Sequence, residues 1–333
     1  MTVTVRSFAK INLGLYIGAP RADGFHGLLT VYQTIGLHDV IRVGVGRGTG
    51  IEIYCADPRV PTDASNTCYR IVEKAMAALG AKGRVRIEIE KRLPVQGGLG
   101  GASGNAVAVL LALERALKKS LAPEERLRIA AEVGSDLPLF LVGGTSLGVG
   151  RGEQVYPLPD FPAMPCVVVV PEVGVSTPKA FAEWDRLCSA GTLARGGVAE
   201  GRGLAKLTPP DSSDRMIELG RVVSAWLGEM YSGAPFRRGR AENPLLALVR
   251  TGIKNDFEQV VFPEYPELSS GKSALERAGA KYASLSGSGS ALYGLFASRE
   301  AAARAAAKLK KQGWAAQATV TLPRQAYWKK FLV

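Results

Sequence analysis

Three groups of residues have types and spacings that could do chemistry. The first is Gly97, Gly98, Gly100 and Gly101, four glycines within five positions of the run Leu93-Pro94-Val95-Gln96-Gly97-Gly98-Leu99-Gly100-Gly101-Ala102-Ser103-Gly104-Asn105-Ala106. Residues without a Cβ let the backbone bend sharply and come close to a ligand. Backbone N–H groups feeding into a helix, with the positive end of its dipole, make an anion site that a triphosphate fits. Ser103 could then bond a phosphate or touch Mg²⁺. The second group is Lys10 and Asn12, in Ser7-Phe8-Ala9-Lys10-Ile11-Asn12-Leu13. On a strand they share one face. A lysine in an apolar stretch calls for an acidic partner or an anionic ligand, because an unpaired buried ammonium is costly. The plainer alternative is a lysine that snorkels to the surface. The third is Asp136, which precedes an apolar run, Leu137-Pro138-Leu139-Phe140. Its position suits a helix N-cap, which spacing alone favours. It also suits a general base acting on a substrate hydroxyl.

Two further segments are suggestive. Ser284-Leu285-Ser286-Gly287-Ser288-Gly289-Ser290 either lets the backbone pass close to phosphates or is a tight hairpin-like turn. Arg21-Ala22-Asp23-Gly24-Phe25-His26 reads as a turn carrying an aromatic beside one of only two histidines. That histidine is either structural or set to read a base. Other nucleotide motifs are absent. No Walker loop occurs, since Gly271-Lys272-Ser273 has Pro266 where the first glycine must stand, and this tail is expected in a loop before a helix. No GxGxxG fingerprint occurs either, because Gly98-Leu99-Gly100 is followed three places on by Ser103.

The elements that must position these groups follow from periodicity. Residues 3–8, 13–17, 28–35, 40–45 and 51–55 read as strands with Gly, Pro and Asp between them. Residues 66–79 carry helical spacing ended by Gly80, and 84–90 alternate like a half-buried strand. Helices are expected over 103–118 and 123–134, on either side of no regular βαβ repeat, which points to an α+β fold. Residues 167–170 form an apolar run expected to be a buried strand. Residues 188–213 are rich in Gly, Ala, Arg, Pro and Ser and read as a mobile loop or insertion, with helices resuming near 214. The last third reads strand (282–285), turn, strand (292–297), helix (299–312), strand (315–321), an order that suits a small ferredoxin-like half.

Composition sets outer limits. A chain of 333 residues, 47% hydrophobic and 22% charged, can bury a large core unaided. Cys55, Cys68, Cys166 and Cys188 form no CxxC pair, so a zinc or disulfide framework is not expected and a reducing cytoplasm fits. No signal-peptide core or run of about 20 apolar residues is present, so no membrane partner is expected. The net charge of +12 fits attraction of nucleotides, solubility, or nucleic-acid binding through Arg237, Arg238 and Arg240 or Lys308, Lys310 and Lys311. The basic residues are scattered without interleaved aromatics, which argues against a nucleic-acid partner.

Taken in order, these segments resemble the GHMP kinase superfamily, and within it the 4-diphosphocytidyl-2-C-methyl-D-erythritol kinases. The resemblance is carried by Ala9 to Leu13, Arg21 to His26, Lys91 to Pro94 with the glycine loop, and Gly134-Ser135-Asp136-Leu137-Pro138. It continues in Gly143-Gly144-Thr145-Ser146-Leu147-Gly148, Gly174-Val175-Ser176-Thr177, Asn255-Asp256-Phe257-Glu258 and the Ser-Gly turn. It implies an N-terminal domain over 1–160 with a left-handed βαβ unit, and a ferredoxin-like C-terminal domain over 161–333 with an insertion at about 185–240. The active site would lie in the cleft between them. By the same resemblance, Gly97, Gly98, Leu99, Gly100, Gly101, Ala102, Ser103 and Asn105 would hold ATP, with Asn66 and Asn105 near the adenine. Lys10, Asn12 and Asp136 would surround the methylerythritol hydroxyl. His26 would read cytosine with Phe25 and Phe181 stacking on it, and Ser176 and Thr177 would lie in the same loop as Phe181. The implied reaction transfers phosphate from ATP, with Mg²⁺, to the 2-hydroxyl of 4-diphosphocytidyl-2-C-methyl-D-erythritol in non-mevalonate isoprenoid synthesis, by a monomer or weak dimer. Two departures stand out: Gly104 where the family often has a second serine, implying one phosphate or metal contact fewer, and Phe25 where tyrosine is more usual. Rival readings are a GHMP kinase acting on mevalonate, homoserine or a sugar, and an RNA-binding protein of related fold.

Overall fold

A computed structural model describes residues 2–189, 217, 220–221, 223–225, 244–250 and 252–333. The chain opens with a long hairpin, β1 (Thr2–Pro20) antiparallel to β2 (His26–Gly46). Sequence pattern divides each of these strands into two, because Lys10, Asn12 and His38-Asp39 interrupt the apolar runs. The structure instead carries both strands through with register shifts at Phe8/Ala9 and Asn12/Gly14. The polar residues are tolerated in mid-strand because each has a hydrogen-bond partner.

β2 pairs along its length with β1. On its other side the far end of β2 meets β4 (Arg84–Glu90), and its near end meets β5 (Thr145–Val149), which pairs with β6 (Gln154–Pro157). β3 (Ile51–Cys55) lies parallel to β4, joined through α1 (Thr67–Ala78) in a βαβ unit. Sequence analysis does not foresee β5 and β6. Both are short; β5 is interrupted by Gly148 and built against the β2 edge, and β6 is built against β5.

α2 (Gly101–Leu117) and α3 (Pro123–Val133) pack with α1 over one face of this sheet, around Ile71, Val72, Val85, Ile87, Val109 and Leu113. α2 is apolar on nearly every side, as a helix buried between a sheet and other helices must be. α4 (Leu137–Val142) follows.

The second sheet has the order β10-β7-β9-β8, all antiparallel, from β7 (Pro165–Val169), β8 (Tyr282–Leu285), β9 (Leu292–Leu295) and β10 (Ala316–Val320). This is the ferredoxin-like order expected from the sequence. β7 alternates strictly. Cys166 and Val168 face the hairpin residues Ala9, Ile11 and Leu13, while Val167 and Val169 face the helices behind. Those helices are α5 (Thr177–Ser189), α7 (Glu258–Glu264), α8 (Pro266–Arg277) and α9 (Arg299–Lys311), and α6 (Pro244–Arg250) packs on the hairpin side.

Three local expectations need correction. Gly271-Lys272-Ser273 lies inside α8, where Gly271 lets Leu292 and Trp314 approach, so it is helix and not loop. Residues 185–189, assigned to the insertion, belong to α5; Trp184 anchors that helix in the core, and its last turn continues the periodicity. Of the rest of the insertion only residues 217, 220–221 and 223–225 are described; Arg237, Arg238 and Arg240 lie outside the described residues. A final helix, α10 (Arg324–Phe331), was not foreseen. It returns to the first half of the chain, where Tyr327 donates to Phe140 O (2.7 Å) and Trp328 Nε1 donates to Val142 O (3.3 Å). Among the described residues no helix is long and apolar enough to cross a membrane.

Candidate active site

β1 brings Lys10 and Asn12 to one face, as alternation requires. Lys10 is 3% exposed and does not reach solvent; its Nζ donates to Asn12 Oδ1 at 2.6 Å and pairs with Asp136 Oδ2 at 3.3 Å. The snorkelling alternative is thereby excluded. Asn12 Nδ2 donates to Thr30 Oγ1 (2.8 Å), which donates to Gly14 O (2.7 Å), so the Asn12 amide is locked with its oxygen toward Lys10.

Asp136 occupies the N-cap position of α4, yet its side chain makes no capping bond. It turns instead toward Lys10 and accepts a hydrogen bond from the Tyr32 hydroxyl at 3.1 Å. Tyr32 comes from β2 and its ring lies under Lys10 Nζ, 5.6 Å from the centroid. Two glycines make room for it: a Cβ on Gly148 would meet Tyr32 Cε2 at 2.4 Å, and one on Gly152 would meet its hydroxyl at 2.4 Å. Burial, and secondarily the negative Asp136, hold the Tyr32 phenol well above its ordinary range, so it stays a proton donor to the carboxylate. Sequence analysis missed Tyr32, since one tyrosine in an apolar strand carries no signal.

The glycine loop joins β4 to α2 and stands beside this pair. Gln96, Gly98 and Gly100 have φ of 59°, 76° and 69°, left-handed values that glycine adopts at no cost. At Gly98 a Cβ would come within 2.2 Å of Ser286 O, and at Gly100 within 3.0 Å of Lys10 Cγ. Lys10 N donates to Leu99 O at 3.0 Å, which ties the loop to β1. The Ser-Gly turn is the hairpin between β8 and β9 and also a close backbone neighbour of the loop. Ser286 Oγ donates to Gly98 O (3.0 Å), Ala291 N donates to Gly97 O (2.9 Å), and a Cβ on Gly289 would meet Gly98 N at 2.4 Å. The two glycine-rich segments therefore pack on each other. Asn255, just before α7, fixes the turn by donating to Leu285 O (2.9 Å) and Gly287 O (2.8 Å).

Gly104 faces away from this site. A Cβ there would meet Ser7 Oγ at 2.9 Å and Phe8 O at 3.0 Å, so glycine at 104 lets α2 lie close on β1. At the start of the loop, Asp39 is wholly buried and accepts from Arg92 N and Leu93 N (both 2.7 Å), Lys91 Nζ (2.7 Å) and Asn105 Nδ2 (3.0 Å). Sequence analysis missed this acid as well. Asn66 caps α1, its Oδ1 accepting from Cys68 N (2.8 Å) while its Nδ2 donates to Pro61 O (2.6 Å).

A single cavity of about 980 Å³ connects these parts. Lys10, Asn12, Tyr32, Asp136, residues 97–103 and Asn105 line its middle; Asn66 and Lys91 line one end and Phe25, His26, Thr177 and Phe181 the other. Thr177 and Phe181 lie on α5 and not in a loop; Thr177 lines the cavity and shares a hydrogen bond of 2.7 Å with Ser288 Oγ, whereas Ser176, one residue before the helix, is not on its wall. The faces of both aromatics meet protein groups. Phe181 stacks on His26 with centroids 4.8 Å and planes 13° apart, and the Arg151 guanidinium lies 4.8 Å from the Phe25 ring. His26 Nε2 is held by Asp185 Oδ1 at 2.7 Å, a partner on α5 that spacing could not reveal across 159 residues.

An alcohol hydroxyl near Asp136, with a phosphate chain on the loop, is the arrangement of a phosphoryl transfer site. Comparisons agree. Residues 66–144 match the GHMP kinases N terminal domain family, and residues 240–314 match the GHMP kinases C terminal family. The chain is 36% identical over 303 residues to a 4-diphosphocytidyl-2-C-methyl-D-erythritol kinase of Solibacter usitatus, covering 90% of this chain and 83% of the relative. The solved structure of a 4-(cytidine 5'-diphospho)-2C-methyl-D-erythritol kinase superposes with a TM-score of 0.70 at 29% identity, over 96% of this chain and 98% of that one. A homoserine kinase from Cytophaga hutchinsonii, 19% identical, shares the fold with a TM-score of 0.64 over 97% of this chain and 95% of its own.

Proposed function

Because the chain belongs to the 4-diphosphocytidyl-2-C-methyl-D-erythritol kinases, within the GHMP kinases, we propose that it transfers the terminal phosphate of ATP to the 2-hydroxyl of that cytidine compound, in non-mevalonate isoprenoid synthesis. The observation that carries the reading is Asp136, which leaves its capping position uncapped to bond Lys10 and Tyr32 beside the glycine loop.

In this mechanism Asp136 accepts the proton of the attacking hydroxyl. Lys10 pairs with the carboxylate and offsets charge developing on the transferred group. Tyr32 keeps one carboxylate oxygen fixed, so the other faces the substrate. Asn12 orients Lys10. The backbone of residues 97–101 and the start of α2 receive the phosphates, where any side chain at Gly98 would collide with Ser286 O. The transition state of such a transfer is loose, so positioning and charge are most of the catalysis.

Mg²⁺ fits this site as a companion of the nucleotide. Among the described residues no group of three His, Cys, Asp or Glu side chains stands together. Phosphate oxygens would therefore supply most of its ligands, with Ser103 or Asp136 as protein donors, as is usual for an ion that keeps its waters. The ion would neutralise phosphate charge. At the other end, His26, Phe25, Phe181 and Thr177 form the wall for the cytidine. A base entering there displaces Arg151 from Phe25 or His26 from Phe181.

The test is ADP release by the purified protein with Mg-ATP and 4-diphosphocytidyl-2-C-methyl-D-erythritol, with mevalonate and homoserine in parallel. Turnover confined to the cytidine compound is expected. Turnover with another alcohol alone would overturn the substrate assignment and keep the kinase.

A further inference from the structure

We propose that Asn255 is a positioning residue for the phosphoryl transfer: its amide holds the Ser-Gly turn at the place that sets the glycine loop against Lys10. The inference rests on the reading of this site as a kinase site. It adds that part of the catalytic alignment resides in a side chain that is only 2% exposed and is not on the cavity wall.

Asn255 uses its whole hydrogen-bonding capacity on backbone. Nδ2 donates to Leu285 O at 2.9 Å and to Gly287 O at 2.8 Å, while Oδ1 accepts from Phe257 N at 3.1 Å. Only an amide offers two donors and an acceptor in this order; a carboxylate would set its oxygens against two carbonyls. The residue is itself anchored to the strand that carries Lys10 and Asn12. It bridges to Leu15 of β1, with Leu15 N donating to Lys254 O and Asp256 N donating to Leu15 O (both 2.9 Å). Ile17 N donates to Asp256 Oδ2 at 2.9 Å.

The turn that Asn255 holds lies between the two halves of the reaction. On one side Ser286 Oγ donates to Gly98 O (3.0 Å) and Ala291 N to Gly97 O (2.9 Å). On the other side a Cβ on Gly287 would lie 3.3 Å from Asn12 Oδ1 and 3.5 Å from Lys10 Nζ, the ammonium paired with Asp136. The carbonyl of that same Gly287 is one of the two that Asn255 grips. Lys10 N secures the loop to β1 at Leu99 O, and the turn secures it at Gly97 and Gly98. One buried amide thus fixes the span from β1 to the residues proposed to receive the phosphates. An alcohol and a phosphorus that must meet in line lose about 10²-fold in rate for a misplacement of about 1 Å.

The test is a double-mutant cycle of Asn255→Ala and Ser286→Ala, read as kcat with Mg-ATP and the cytidine substrate, with urea titration to show that each variant is folded. Asn255→Ala removes both donors without adding bulk or charge, and kcat is expected to fall about tenfold or more. Ser286→Ala cuts the link from turn to loop and is expected to lower kcat about three- to tenfold. The double variant should lose little more than Asn255→Ala alone, because both changes break one path. A double variant whose loss is the product of the two single losses overturns the proposal, as does a folded Asn255→Ala with wild-type kcat. An asparagine that only stabilised the fold would lower the urea midpoint and leave kcat of the folded protein as it was. If Asn255→Ala does not fold, Ser286→Ala decides: an unchanged kcat there overturns the proposal. If wild type itself turns over no alcohol, the kinase reading falls and takes this inference with it.

Discussion

Tyr32 and Asp136 meet 104 residues apart in sequence, the phenol donating to Oδ1 at 3.1 Å while Lys10 pairs with Oδ2 of the same carboxylate at 3.3 Å. In the proposed mechanism the tyrosine acts through Asp136. Tyr32→Phe is expected to lower kcat about tenfold, as one hydrogen bond to a charged group is lost, with KM for ATP unchanged. A kcat equal to wild type would show that Lys10 alone orients the base.

Removing the base itself costs more. Asp136→Asn keeps the shape and the Tyr32 contact but accepts no proton, and kcat should fall about 10²–10⁴-fold. Steady-state rates measure this, and retention of wild-type turnover would remove Asp136 from the chemistry.

Gly98 and Gly104 should behave oppositely with respect to ATP. Gly98→Ala forces a Cβ to within 2.2 Å of Ser286 O at a φ of 76°. The loop must shift off the Ser-Gly turn, and KM for ATP is expected to rise about tenfold or more. Gly104→Ser meets Phe8 O at 3.0 Å outside the cavity, so it should lower the urea midpoint and leave KM for ATP as it was. An improved ATP affinity in Gly104→Ser would contradict the geometry.

Asp185 grips His26 Nε2 at 2.7 Å from α5. Asp185→Ala releases the ring, and KM for the cytidine substrate is expected to rise by about three- to tenfold without a change in kcat. A fall in kcat at constant KM would place His26 in the chemistry instead.

Alkali should destabilise the fold in a predictable window. Burial pushes the Cys68 and Cys166 thiols from 9.0 up to about 12, and pushes Tyr32 and Tyr293 well above 10.0. Each folded value is raised, so the contribution is complete below the unfolded value and is lost as pH rises toward the folded one. Urea midpoints should hold steady up to about pH 9, then drop, by roughly 1 kcal/mol per pH unit for each thiol between 9 and 12. Midpoints that stay level to pH 11 would show that these groups are not buried in solution.

The parts of this molecule that could be read from sequence are those written in local chemistry. Four glycines before a helix announce a sharp turn with close backbone approach, and β7, β8, β9, β10 and α9 announce themselves by period and punctuation. Lys10 in an apolar strand announced a partner without naming it. What stayed hidden depends on pairings over long separations: Tyr32 with Asp136, Asp39 with Lys91 and Asn105, His26 with Asp185. Asp136 shows the limit well. Local spacing favours a cap, and only the three-dimensional neighbours Lys10 and Tyr32 draw the side chain away from that duty. β5 and β6 escaped notice because an edge strand borrows its order from the strand it joins.

α10 has a consequence for how the protein comes into being. Its Tyr327 ring fills the space over Gly143, where even a Cβ would lie 2.5 Å away, and Arg6 Nη1 on β1 donates back to Lys330 O at 2.8 Å. The helix thus closes the far side of α4, the short helix at whose start Asp136 sits. On the ribosome, β1 and α4 emerge long before α10 does. The face of α4 that Tyr327 and Trp328 cover therefore stays open until α10 has been made.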